Sequence, residues 1–295
     1  LGLKLEMGDK AGTAIVNTAD DETFFGLHVS PDLDTVTYTL AGVGDDVKGW
    51  GIAGDTFHTL EMLGRLGCET WFKLGDRDLA THIYRTMRLR DGATLTQVTA
   101  EIAYRLGVGW TILPMTDDTV RTWIETPSGI IPFQTYFVKN MAMDRILSIH
   151  YRGIEEARPT PQVVRSIKEA GAIIICPSNP IASIGPILGI PGMRDLIKNA
   201  DAMVLAVSPI VGGKAVRGPA AKMLSELGVD PSPVGVAELY HDILDLIIID
   251  NMDASYKEEI AAMGIDVVTT NTIMSTTVDK RALARRCLEA AGIKI

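Results

Sequence analysis

The strongest constraint on the fold of this chain is the rhythm of its second half, where short apolar runs recur between segments of helical pattern. Residues 172–176, 202–207, 246–249 and 266–268 read as strands. Residues 161–170, 191–198 and 254–263 read as helices, as do stretches ending at Gly228 and before Asp245 and a last one from Val278. Strands separated by helices cannot be joined by tight hairpins, so they pair in parallel with helices on the faces of the sheet. The expected class is α/β: a doubly wound, mostly parallel, Rossmann-like sheet.

The first half is less regular. Residues 14–16 form a β-branched run that opens into the polar cluster 17–21, a strand leading into a loop. Helices are expected from Asp32 to Leu40, from near Asp55 to Gly67, from Asp78 to Arg88 and from Thr94 to Leu106, with a strand over 70–74. Between 119 and 138, two alternating runs flank Pro127, Ser128 and Gly129, the composition of a hairpin turn. The reading is a single α/β domain over 1–295 with an inserted helical and hairpin segment near 78–145.

A chain of 295 residues with 46% hydrophobic content can bury a large core. Its formal charge of −9 repels polyanions and argues against nucleic acid as a partner. Cys68, Cys176 and Cys287 are odd in number and lack paired-ligand spacing, so neither a disulfide framework nor a Cys-rich zinc site is expected, and a reducing cytoplasm is. The apolar runs fall far short of the ~20 residues of a membrane span. Residues 1–5 have neither the basic start nor the long apolar stretch of a signal peptide.

In doubly wound sheets, ligands bind outside the carboxyl ends of the strands. Asp20 and Asp21 follow the first strand, and Asp32 and Asp34 lie at the next helix start. Carboxylates crowded in this way repel unless solvated, protonated or bridged by a cation, and an oxygen-rich set suits Mg²⁺ with phosphate as co-ligand. Asp20, Asp21 and Asp32 are the candidate metal ligands; the competing reading has Asp32 as a simple cap and the others exposed.

The loop Pro177-Ser178-Asn179-Pro180 could hold a phosphate or a base edge, or could be a rigid turn that caps the next helix. Ser208, Gly212, Gly213 and Lys214, followed by Arg217, Gly218 and Pro219, make a second loop in which glycines allow close backbone approach and cations neutralise an anion. Its spacing is not that of a Walker loop, and a surface loop with solvated cations is the alternative. Ser178, Asn179, Ser208, Gly212, Gly213 and Lys214 are therefore candidates for nucleotide and phosphate binding. Lys73, Asp76, Arg77 and Asp78 form a further cluster, or a solvated turn. His28, His58, His82, His150 and His241 show no metal-ligand spacing, and no Gly-x-Ser-x-Gly element supports a hydrolase. Trp50, Phe57, Trp71 and Phe72 cover a flat ring or fill core, core being the default.

Taken in order, Val16-Asn-Thr-Ala-Asp-Asp21, Ser30-Pro-Asp-Leu-Asp-Thr35, Lys73-Leu-Gly-Asp-Arg-Asp78, Pro177-Ser-Asn-Pro180 and Ser208-Pro-Ile-Val-Gly-Gly-Lys214 resemble the 2-phospho-L-lactate transferase family across almost the whole chain. The resemblance implies a Mg²⁺-dependent transferase of coenzyme F-420 biosynthesis, acting in the cytoplasm as a homodimer. It moves a 2-phospholactyl or enolpyruvyl phosphate group from a nucleoside diphosphate-linked donor to the ribityl hydroxyl of a deazaflavin, 7,8-didemethyl-8-hydroxy-5-deazariboflavin. Nucleoside monophosphate leaves. It also implies deazaflavin contacts at Asp34 and Lys73 and makes Asp34 and Asp32 the candidate catalytic residues. On this reading Asp34 serves transfer, so Asp34→Asn is expected to spare the fold.

The family's opening strand and glycine-rich phosphate loop have no counterpart before Ala14, and the resemblance implies that they are missing from this sequence. Two other classes compete. A non-catalytic nucleotide-sugar-binding regulator of a related family has no need of clustered carboxylates. A nicotinamide-dependent dehydrogenase needs a Gly-x-Gly-x-x-Gly fingerprint directly after an early strand, and no such fingerprint follows an early strand in this sequence.

Overall fold

The computed structural model describes residues 1–8, 12–216 and 218–293. Helix α1 (Gly2–Met7) precedes β1 (Thr13–Val16), after which β2 (Glu22–Phe24) and β3 (Leu27–Val29) form a tight hairpin. Its turn residues Phe25 and Gly26 both take positive φ, 54° and 76°, the twist that two-residue hairpins favour. Helix α2 (Pro31–Ala41) starts with a proline of suitable φ and two acids in its first turn, and ends at Gly42 in the left-handed region.

Helices α3 (His58–Arg65) and α4 (Asp76–Arg90) exchange caps. Asp55 accepts from the N–H groups of Arg77 (3.0 Å) and Asp78 (3.1 Å), while Asp76 accepts from His58 (3.1 Å) and Thr59 (2.9 Å). The exchange draws Gly75 so close to Asp55 that a Cβ there would lie 2.1 Å from the carboxylate. Residues 70–74, expected as a strand, have no ladder partner and run as a connector. Their apolar side chains pack instead: Phe72 and Leu74 join Val29 and Leu79 in a small cluster, and Phe72 stacks on Phe24 at 4.1 Å.

Helix α5 (Leu95–Arg105) is capped by Thr94 and Gln97 in a reciprocal box. It leads into β4 (Thr111–Pro114), which pairs in parallel with β1. Helices α2 and α5 cover one face of this pair through Leu33, Leu40, Leu95 and Ala103 against Val16 and Ile112. The expected hairpin follows as β5 (Arg121–Thr126) and β6 (Gly129–Pro132), and β7 (Ser148–Arg152) adds a third antiparallel strand on the other side of β5.

The βαβ rhythm yields β8 (Ala172–Ile175), β9 (Met203–Val207), the short hairpin β10 (Ile210–Val211) and β11 (Lys214–Ala215), then β12 (Leu246–Asp250) and β13 (Asp266–Thr270). Four of these form a parallel sheet in the order β13-β12-β9-β8. β12 is buried along its whole length, which is why its sequence is a continuous apolar run rather than an alternation. The parallel layer thus comes in two pieces, β1-β4 and the four-stranded sheet, joined by one core in which Ile15 and Leu113 pack with Ile175, Val204 and Ile247. Among the described residues no helix is long and apolar enough to cross a membrane.

Candidate functional site

The loop after β1 turns on a single amide. Asn17 is only 3% exposed, and its Nδ2 donates to Asp20 Oδ2 (3.1 Å), Asp32 Oδ2 (3.0 Å) and the carbonyl of Ala182 (3.3 Å). Its Oδ1 accepts from Ala19 N at 2.9 Å. Asn17 therefore ties together the loop after β1, the first turn of α2 and the short helix Pro180–Ile184 that follows β8. The acidic loop and the 177–180 loop share one edge of the parallel layer because of this contact. Within the second loop, Asn179 uses its carbonyl oxygen as a cap, accepting from Ile181 N (2.9 Å) and Ala182 N (3.1 Å), and Ser178 lies half-buried beside it.

Asp20 and Asp32 are held near each other by the same donor, at an electrostatic cost. Burial, then the nearby charges of Asp32 and Asp21, push the Asp20 carboxyl well above the usual range. Burial raises Asp32 to about 6, against the Asn17 hydrogen bond and with help from Asp21. Asp20 Oδ1 is buried with the Thr122 hydroxyl as its polar neighbour, and neither atom forms a hydrogen bond of good geometry. A carboxylate oxygen so placed beside a second carboxylate fits a hard cation, which would satisfy the oxygen and relieve the repulsion. Asp21 is otherwise engaged, accepting from Ser30 Oγ at 2.8 Å and lying 2.9 Å from His28 Nε2.

Asp34 belongs to a separate buried network. Both of its oxygens are bound by Arg85 of α4, Oδ2 at 3.1 Å from Nη1 and Oδ1 by Nη2. His82 lies between two acids, its Nδ1 3.6 Å from Asp34 and its Nε2 3.3 Å from Asp78, and Tyr38 donates to Asp78 at 2.8 Å. Asp34, Asp78 and His82 are the one group among the described residues whose ligand atoms all lie within 4.8 Å of one another; Asp20, Asp21 and Asp32 do not form such a group. The Arg85 guanidinium already supplies the positive charge there, so this triad has no call on a metal.

Sequence reasoning missed Arg85 and His82, although a signal exists. Asp78, His82, Arg85 and Thr86 occupy i, i+4, i+7 and i+8 of α4 and are all buried, a polar stripe where an amphipathic helix would show an apolar one. Lys73, just before α4, is exposed and forms no ion pair among the described residues.

The third loop is a built hairpin. Ser208 Oγ bonds both the N–H (3.1 Å) and the carbonyl (3.0 Å) of Ile210. Gly212 and Gly213 take φ of 57° and 72° between the paired residues Val211 and Lys214. The amide of Gly212 donates to both oxygens of Asp253, at 3.0 and 3.1 Å. Asp253 is buried, which raises its carboxyl, and Lys214 is exposed. Arg217 lies outside the described residues.

Two clefts adjoin the acidic loop and share Asp21 and Arg121. One is lined also by Asp20, Trp123, Phe133 and Gln134, with Gln134 Nε2 donating to the Asp20 carbonyl at 2.9 Å. The other is lined also by Thr18, His28, Thr94 and Asp118. Trp71 and Phe72 do not line either cleft; they pack edge-on and stacked against Phe24.

Carboxylates, a capped polar loop and an anchored glycine hairpin follow the parallel strands of a Rossmann-like α/β protein, the position at which such folds bind ligands. The family model described as 2-phospho-L-lactate transferase CofD matches residues 2–287, and the chain belongs to that family. It is an enzyme of the 2-phospho-L-lactate transferase type. It is 41% identical over 289 residues to a 2-phospho-L-lactate transferase of Methanosarcina mazei, covering 98% of this chain and 95% of that one. It is also 42% identical to a phosphoenolpyruvate transferase of Streptomyces griseus, covering 98% and 93%. A crystal structure of a UPF0052 family member from Bacillus halodurans shares the fold, with a TM-score of 0.61 at 16% identity over 98% of this chain and 94% of that one.

Proposed function

We propose that this protein transfers a 2-phospholactyl or enolpyruvyl phosphate group from a nucleoside diphosphate-linked donor to the ribityl hydroxyl of a deazaflavin alcohol, a step of coenzyme F-420 biosynthesis. The observation that carries this reading is the Asn17 bridge, which sets Asp20 and Asp32 side by side at the loop edge and leaves Asp20 Oδ1 without a hydrogen bond of good geometry. Phosphoryl transfer asks a protein mainly for positioning and charge neutralisation. In the reaction, the acceptor hydroxyl loses its proton, its oxygen forms a bond to the donor phosphorus, and the bond from phosphorus to the departing nucleoside monophosphate breaks.

Asp20 and Asp32 are the residues that would hold Mg²⁺. When bound, the ion neutralises the diphosphate and lowers the pKa of the hydroxyl. Asp32 would receive the proton at Oδ1, the oxygen that Asn17 does not engage. Asp34 is less suited, because Arg85 engages both of its oxygens. Lys214, exposed on the anchored hairpin, and Lys73, before α4, are the cations assigned to the donor and to the ring of the acceptor. The three free cysteines suit a reducing cytoplasm.

The test is to incubate the protein with Mg²⁺, the deazaflavin alcohol and each nucleoside-linked donor in turn, and to look by mass spectrometry for a phosphodiester product and free nucleoside monophosphate. Absence of that product with both donors refutes the reading.

A further inference from the structure

Arg121 opens β5 and Arg152 closes β7, and the strand register sets them directly opposite each other. Like charges facing across an antiparallel pair repel. Opposed arginines are ordinarily relieved by carboxylates, yet among the described residues neither of these pairs with one. Half-buried Arg121 donates only through Nη1, to the carbonyls of Val120 (2.7 Å) and Thr18 (3.5 Å). Arg152 lies over the Trp123 ring, 4.1 Å from its centroid.

The close approach is built into the backbone. Gly153 follows Arg152 at φ 84°, and a Cβ there would sit 2.3 Å from the carbonyl oxygen of Thr119, so the chain carrying Arg152 lies tight against the segment that leads into Arg121. Arg121 and Trp123 line the same cleft as Asp20. Arg121 thus shares a cleft with Trp123 and with Asp20, Asp21 and Glu22 but is within ion-pair distance of no carboxylate among the described residues, while Arg152 covers the Trp123 ring.

This arrangement calls for an anion, and its position beside Asp20 says which one. The inference rests on the transfer reaction proposed above, whose transferred group carries a carboxylate next to its phosphate. The geometry points to Arg121, backed by Arg152, as the site that recognises the carboxylate of the transferred 2-phospho acid. A guanidinium binds a planar carboxylate through two parallel N–H groups, and Arg121 lines the same cleft as Asp20, where the phosphate of the same group would be held if Asp20 and Asp32 bind Mg²⁺. Trp123 holds Arg152 in place and walls the cleft. The site would thus distinguish a 2-phospho acid from a bare phosphate ester.

Binding of phosphoenolpyruvate and of inorganic phosphate, each measured by calorimetry with Mg²⁺ present, tests the assignment. Wild-type protein is expected to prefer phosphoenolpyruvate by roughly 10- to 100-fold, the size of one charge-assisted hydrogen-bonded pair. Arg121→Gln should erase that preference while leaving phosphate binding in place, and Arg121→Lys should restore only part of it. Arg152→Gln, at an exposed position, should reduce the preference and decides the matter if Arg121→Gln fails to fold. A wild-type protein without preference, or glutamine variants that keep it, overturns the assignment. Turnover of the deazaflavin alcohol by wild-type protein is scored separately: its absence refutes the transfer reaction, whereas turnover with the preference intact in the variants refutes only the carboxylate site.

Discussion

Arg85 on α4 engages both carboxylate oxygens of Asp34 on α2, and the two side chains are buried together, at 2% and 5% exposure. The pair changes what an Asp34→Asn exchange should do. From sequence, the exchange is expected to spare the fold, because asparagine keeps the shape and capping ability of aspartate. In the structure it strips the charge that pairs with a buried guanidinium. Breaking a buried ion pair from one side costs about 3–5 kcal/mol. Urea unfolding of Asp34→Asn should therefore show a large fall in stability together with any loss of turnover. Unchanged stability with a strongly reduced rate would return Asp34 to the role of proton acceptor.

Asp32 carries a pH prediction. Its carboxyl is raised to about 6 in the folded protein, against about 3.9 in an unfolded chain. The folded state therefore binds this proton more tightly, and the stability so gained is complete below the unfolded value and lost as pH rises through the folded one. Asp32→Asn removes the titration, so its melting temperature should fall less than that of wild type between about pH 4 and pH 7. Added Mg²⁺ at neutral pH should raise the melting temperature of wild type more than that of the variant. Parallel pH profiles, or equal responses to the ion, would show that Asp32 is neither perturbed nor a ligand.

Asn17→Ala should loosen three loops at once. It removes the donor shared by Asp20, Asp32 and the Ala182 carbonyl, and leaving buried acceptors without a partner costs about 1–3 kcal/mol. The rate of transfer should fall further than stability alone explains, since the acids and the 177–180 loop lose their common anchor. Thermal melts beside steady-state kinetics would separate the two effects. A variant with normal turnover would show that the bridge is only structural.

What could be read from sequence follows from which interactions are local. β12 was legible because burial on both faces favours an unbroken apolar run, here the four residues Leu246 to Ile249. β4 was not, being four residues long and ending at Pro114, and the β2–β3 hairpin was hidden because its turn is Phe25-Gly26 rather than Asn-Gly. Trp71, Phe72 and Leu74 suggested a strand because apolar side chains that pack from a connector look the same in sequence as those on a ladder. The crowding of Asp20, Asp21, Asp32 and Asp34 was visible, but the partner of each was not. Arg85 is 51 residues from Asp34, and Ala182 is 165 from Asn17. Only the polar stripe on α4 hinted at such a partner.

The final prediction concerns the glycine hairpin and the residue that holds it. Gly212 and Gly213 could have presented free amides to an anion, but the Gly212 N–H is already bound by both oxygens of Asp253. The hairpin is thus tethered to the segment that follows β12, and Lys214 is carried on a fixed arm. If that arm meets the donor, Lys214→Ala should raise the donor KM and leave the acceptor KM nearly unchanged, because the two substrates meet different loops. Asp253→Ala should act in the same direction without touching ligand, since a loosened hairpin loses the orientation of Lys214. Asp253→Asn keeps one acceptor oxygen for the Gly212 amide and should recover much of the loss. Kinetics with each substrate varied in turn measure all three variants. A donor KM unmoved by Lys214→Ala would make Lys214 a solvated surface cation, and one unmoved by Asp253→Ala would mean that the tether serves the fold alone.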